Sequence, residues 1–149
     1  MRPVLFASIL FALFATGAAR AGTIEVKDAW IRTPPTGAPT AAGYATIVNH
    51  GISSDHLTGA STRAATAAQL HQMSMAGGVM RMRPITAGVP IGASASLTLS
   101  PNGEHLMLIG LKSPLKAGMH VKVTFQFQRG GAVVGDFVVR DAAPGGMHM

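Results

Sequence analysis

The chain contains no cysteine, and that absence removes more chemistry than any other feature of its 149 residues. Thiolate nucleophiles, iron–sulfur clusters and a blue-copper centre all need a cysteine sulfur. Disulfides are excluded as well, so the fold must hold by packing alone. Acidic residues are few, six in all, and none of them clusters into a carboxylate metal cage or an acid–base pair. With one Trp and one Tyr the chain offers few platforms on which bases could stack. The basic residues are spread along the chain, only Arg81 and Arg83 lying close together, so there is no basic tract that reads as a nucleic-acid surface. No helix-period segment exceeds two turns. Beyond the N-terminus no apolar run approaches the ~20 residues of a membrane-spanning helix.

The N-terminus itself reads as a secretory signal peptide over residues 1–21. Arg2 supplies the positive start, Val4 to Thr16 the apolar run, and Ala19-Arg20-Ala21 the small residues of a cleavage site. Cleavage would leave a mature domain over residues 22–141 and lower the net charge from +6 to +4 by removing Arg2 and Arg20. The expectation is an exported protein with no stable membrane insertion after signal cleavage.

What is present is β-structure and methionine. Short alternating segments are separated by turn signals at intervals of roughly 8–12 residues, the pattern of an antiparallel β-sandwich or barrel. Strands are expected over Thr23–Arg32, Ala41–Asn49, Ala95–Ser100, Glu104–Leu111, His120–Gln128 and Val133–Val139. Ser53–Ala68 reads as strands split by a polar turn. Gln69–Met75 and Val79–Arg83 form a hairpin around the three-residue connection Ala76-Gly77-Gly78. Gly88-Val89-Pro90-Ile91-Gly92 reads as a loop.

Five of the nine methionines fall between Leu70 and Met107, together with two histidines. His71, Met73 and Met75 alternate, as do Met80 and Met82, and His105 and Met107. A strand sends residues i and i+2 to one face, so each group aims its imidazole or thioethers in one direction. Imidazole and thioether together, with no thiolate and no carboxylate, suit a soft monovalent ion, Cu(I), over zinc, magnesium or calcium. Spacing alone does not choose between Met80 and Met82. A lone inward Met is ordinarily core filler and a lone His ordinarily hydrogen-bonded; it is the repeated combination of the two that points to a metal. His50, His56 and His120 have no partner at useful spacing and read as surface or structural.

The pattern His71, ten residues, Met82, twenty-two residues, His105-x-Met107 resembles the His/Met signature of the periplasmic copper chaperone PCuAC family. Gly78-Val79-Met80-Arg81-Met82-Arg83-Pro84 and His105-Leu106-Met107-Leu108-Ile109-Gly110-Leu111-Lys112 carry the likeness further, and it extends over essentially the whole of residues 22–141. Where family members often carry Met directly after the first His, this chain has Gln72. The resemblance implies an all-β, antiparallel, cupredoxin-like Greek-key sandwich or barrel. It also implies a Cu(I) centre of His71, Met82, His105 and Met107, expected at an exposed, loop-rich end of the sandwich. The implied activity is that of a metallochaperone, not an enzyme, carrying copper in the periplasm for the CuA centre of cytochrome c oxidase. Its partners would be subunit II of that oxidase or another copper chaperone. Two other classes fit the residues less well: a copper enzyme, for which no acid, base and nucleophile gather near the cluster, and a secreted sandwich that binds a protein partner or stores copper without delivering it.

Residues 142–149 read as a flexible tail, with Pro144-Gly145-Gly146 ahead of Met147-His148-Met149, a candidate for a second copper, Cu(II). Deleting Gly145 to Met149 should leave Cu(I) in the main site and lower the Cu(II) held per chain. Parallel titrations of full-length and truncated protein check this, and identical stoichiometry and affinity for both oxidation states would reduce the segment to a plain tail.

Overall fold

The computed structural model describes residues 23–142. The expected signal peptide over 1–21 and the Met147-His148-Met149 triplet lie outside the described residues. Ten strands account for nearly all regular structure among those described. They are β1 (Ile24–Arg32), β2 (Thr40–Asn49), β3 (Asp55–Thr62), β4 (Ala65–Ala76) and β5 (Val79–Pro84), then β6 (Val89–Ile91), β7 (Ser96–Leu99), β8 (His105–Leu111), β9 (His120–Phe127) and β10 (Gly131–Arg140). No helix among the described residues is long and apolar enough to cross a membrane.

Seven strands close on themselves in the order β4-β8-β2-β1-β10-β9-β3, with β3 returning to β4 through Ala60↔Ala68. The expected all-β, cupredoxin-like barrel is therefore what the chain forms. Every pair is antiparallel except one: β1 runs parallel to β10, Trp30 beside Val138 and Ile31 beside Val139. The first and last strands seal the barrel side by side, a pairing between segments about as far apart in sequence as the domain allows. Such a pair leaves no local mark in either strand.

Closure explains the alternation seen in the sequence. In β9, Val121, Val123, Phe125 and Phe127 point inward while His120, Lys122 and Gln126 meet water. Ile31, Ile47, Leu57, Leu106, Leu108, Val123, Phe125, Phe137 and Val139 are fully buried and form one core. Each such side chain contributes about 1.5–3 kcal/mol relative to exposure, which is how a barrel without disulfides holds.

Two segments differ from expectation. Val89-Pro90-Ile91 is a short strand on the outer edge of β3, not a loop. Val89 and Ile91 are both buried and Pro90 faces out, and an edge strand tolerates a proline because its outward N–H has no ladder partner to lose. The β4–β5 hairpin turns through two residues, not three: Ala76 pairs with Val79, and Gly77 and Gly78 both take positive φ, 59° and 77°. Two consecutive positive φ values define the tight turn whose twist matches a hairpin, and glycine adopts them at no steric cost.

Two buried polar side chains pin the loops of one end. The Asn49 amide donates to the carbonyls of Ser53, Ile91 and Gly92 at 2.9, 3.3 and 3.2 Å. The Asp55 carboxylate accepts the backbone N–H groups of His56, Arg129 and Gly130, each at 2.8 Å, and so ties the start of β3 to the β9–β10 turn. Burial works to raise the Asp55 pKa, but the three N–H donors and the nearby Arg129 charge prevail and hold it below the usual aspartate value. A depressed carboxyl pKa adds stability that is present above the unfolded value, about 3.9, and is lost as pH falls through the folded one. Asp55→Ala should therefore cost about 1–3 kcal/mol at neutral pH by leaving buried donors unpaired, and should flatten the acid limb of the stability curve. Denaturant titrations at pH 7 and pH 3 measure both effects.

Candidate metal centre

The side chains singled out in the sequence are set on one outer face of the barrel by strand register. Along β4 and β8, His71 lies directly opposite His105, Gln69 opposite Met107, and Leu70 opposite Leu106. Directly opposed residues of an antiparallel pair share a face, with Cβ atoms roughly 4.5–5.5 Å apart. Leu70 and Leu106 go to the core, which leaves Gln69, His71, His105 and Met107 together on the outside. On the other edge of β4, Met73 is opposite Met82 and Met75 opposite Met80, so the hairpin thioethers lie on that same face. His71↔His105 is the last pair between β4 and β8, and beyond it the β4–β5 hairpin projects past the barrel. The four candidate side chains are thus carried by strands, and the loop beside them is the turn that precedes β8.

Met82 comes from β5, two strands away from β8, a separation of about 9–10 Å at the usual strand spacing. Its long side chain crosses over β4, and its Sδ stands 3.0 Å from Nε2 of His105. The two imidazole rings have centroids 6.1 Å apart and are tilted by 51°. His71, Met82 and His105 thus form one cluster. Met107 shares their face, half-buried, two residues along β8 from His105. His50 and His120 are elsewhere, paired on exposed surface with Glu25 at 2.7 Å and Asp136 at 3.1 Å, and His56 is exposed on β3.

Hydrogen bonds decide which nitrogens are free. Nδ1 of His105 is 3.1 Å from the carbonyl of Gly103, and a carbonyl only accepts, so Nδ1 carries the proton. In the neutral ring Nε2 is then a lone pair, and it faces a thioether sulfur, which has only lone pairs to offer. Nothing joins such a pair except a proton or a cation placed between them. His71 repeats the logic. Its Nε2 donates to Oε1 of Gln69 at 3.1 Å, and its Nδ1 is buried with no hydrogen-bond partner. A buried nitrogen without a partner is costly in a finished core and is what a ligand position requires. Gln69 and Gly103 set the tautomers and were not singled out in the sequence. Gln69 could have been found, being two residues before His71 on the same strand face. The Gly103 carbonyl could not, because it depends on how the Pro101-Asn102-Gly103 turn closes.

Burial differs across the cluster. His105 is 5% exposed and Met82 47% exposed. Burial lowers the pKa of His71 below the ordinary imidazole value of 6.5, and the neighbouring His105 adds to the shift. Among the described residues no three His, Cys, Asp or Glu side chains converge. The converging donors are imidazole and thioether, a neutral and soft set.

The sequence profile of the LpqE-like lipoprotein family matches residues 24–139, the whole barrel. The chain belongs to that family. A Leifsonia xyli subsp. xyli protein named as a lipoprotein, Lxx21020, is 34% identical over 111 residues, covering 74% of this chain and 66% of the relative. This LpqE-like chain therefore spans just under two thirds of that relative's length. Among solved structures, the apo PCuAC domain from PmoF1 superposes with a TM-score of 0.69 at 26% identity, over 81% of this chain and 96% of that one. The Cu(I) form of DR1885 from Deinococcus radiodurans superposes with a TM-score of 0.60 at 31% identity, over 84% and 85% of the two chains.

The arrangement makes a prediction about protons alone. His71 should titrate below the ordinary imidazole value, and His105→Gln should raise it part of the way back by removing the second ring's charge. Its native state then binds fewer protons than the unfolded chain in the window between the two pKa values, so acidification through that window destabilises the fold. Imidazole chemical shifts followed through a pH titration check both statements.

Proposed function

We propose that this protein is an exported carrier of Cu(I), held by His71, Met82, His105 and Met107. The observation that carries the reading is the pair of free nitrogens: Nε2 of His105 facing the Met82 sulfur, and the buried Nδ1 of His71 with no partner. Thioether and neutral imidazole favour Cu(I), and a cysteine-free site keeps its ligands in an oxidising compartment. The Cu(I) form of DR1885, at 31% identity over the same fold, supports copper as the ion.

All four ligands are neutral, so the bound ion keeps its single positive charge and no opposite charge traps it. Release can then proceed by ligand exchange. His105, buried and oriented by Gly103, is the anchor. Met82, half open to solvent, is the ligand an incoming donor can displace first. The copper changes partners without changing oxidation state. We infer a periplasmic location and no catalytic role. The signal-like residues 1–21 and the lipoprotein description of the family support export. The acceptor we propose is the CuA site of cytochrome c oxidase subunit II, or another copper chaperone upstream of it.

Anaerobic competition against a chromophoric Cu(I) chelator tests the site. One ion should bind per centre. His105→Ala should weaken binding at least tenfold, about 1.4 kcal/mol or more, with the barrel still folded. Met82→Leu should act mainly by speeding release. Unchanged affinity in both variants would sink the assignment. Mixing the loaded carrier with an apo CuA domain, and watching that centre form, tests delivery separately.

A further inference from the structure

The site just proposed uses one of the four thioethers on the β4–β5 hairpin and leaves three unexplained. Met73 and Met75 on β4 lie directly opposite Met82 and Met80 on β5, two adjacent cross-strand pairs on a single face. The pairs form a ladder that starts beside His71 and runs outward to the Gly77-Gly78 turn. The opposite face of the same hairpin carries Gln72, Ser74, Arg81 and Arg83. Met75 and Met80 are 66% and 52% exposed, and neither packs into the core.

A surface made only to grip an apolar partner has no need of sulfur, and Leu, Ile or Phe would serve it. Here every side chain on the outer face from Met73 to Met82 is a thioether. Opposed Cβ atoms about 5 Å apart allow two flexible methionine side chains to bring their sulfurs onto one ion. We propose that Met73, Met75 and Met80 form a second, outer Cu(I) site, made of thioethers alone. It is a port through which the ion passes between solvent or partner and the histidine site. Lacking imidazole, and with Arg81 and Arg83 on the reverse face, it holds the ion more weakly than the inner site, so the ion moves inward when the inner site is empty. Met82 is the swing ligand: its sulfur reaches His105 on one side and its strand position pairs with Met73 on the other. In the transfer a Cu–S bond to Met75 or Met80 breaks as bonds to Met82 and the imidazoles form, and copper stays Cu(I) throughout. The direction of flow rests on the proposed inner site. The existence of the outer site does not.

Methionine methyl NMR on the full-length protein, titrated with Ag(I) as a redox-inert substitute for Cu(I), resolves the two. The first equivalent should shift the Met82 and Met107 methyls, and a later, weaker equivalent those of Met75 and Met80. The double variant Met75→Leu/Met80→Leu keeps side-chain bulk on an exposed hairpin and should bind one ion fewer while the Met82 and Met107 shifts persist. In His105→Ala/Met107→Leu the hairpin methyls should still respond. Silent Met75 and Met80 methyls, or an undiminished ion count in the first double variant, overturn the outer site, including the case where only Met147 and Met149 take up further ion. Silent Met107 beside responsive Met75 and Met80 would instead overturn the inner site and leave the outer one standing.

Discussion

A thioether sulfur and an imidazole nitrogen lone pair have no mutual attraction, yet the fold sets Met82 and His105 3.0 Å apart. Both are Lewis bases, and what belongs between them is an electrophile. At the proposed copper site that electrophile would be the soft Cu(I) ion. The rest of the local structure serves this juxtaposition. The Gly103 carbonyl takes the other nitrogen of His105, Gln69 takes the other nitrogen of His71, and the Leu70–Leu106 pair anchors both strands in the core behind them.

The placement is a consequence of register. Because side chains alternate along a strand, a shift of one residue between β4 and β8 would send His71 and His105 to opposite faces. Leu70, Leu106 and Leu108 forbid that shift, since it would turn buried leucines outward. Core packing therefore sets which side chains share the candidate face. The barrel's closure, including the parallel β1–β10 seam, supplies the rigidity that loops could not.

Legibility followed the range of the interactions. Alternation within strands was readable, so the histidines and methionines could be assigned to faces, and the glycine hairpin could be located. The register between β4 and β8 was not, because it depends on contacts between segments more than thirty residues apart in sequence. The turn at Gly77-Gly78 is one residue shorter than the sequence suggests, because Ala76 has no local feature that distinguishes a paired position from a loop. In Val89-Pro90-Ile91 the proline signals a loop more strongly than the two flanking apolar residues signal a strand, and only an edge position reconciles them. Spacing left Met80 and Met82 equivalent. In the fold they differ, since Met82 reaches across β4 to His105 while Met80 lies nearer the turn, opposite Met75.

The graded exposure of this face argues for a path as well as a site. His105 is buried, Met82 is half open, and the Met75–Met80 pair, one step nearer the hairpin tip, is more exposed still. A site built only for tight retention would close over its ion, since a water-excluded ligand set lets go slowly. A site built only for capture would gain nothing from a buried, tautomer-locked histidine. Both features occur along one strand pair, with the nitrogen donors at the root and sulfur alone beyond them. The barrel keeps the root rigid, and the hairpin, paired on one edge only, is the part of the face free to meet a partner. The division of labour follows from where β8 stops: past His105, β4 has no neighbour on that side, and the thioethers stand in the open.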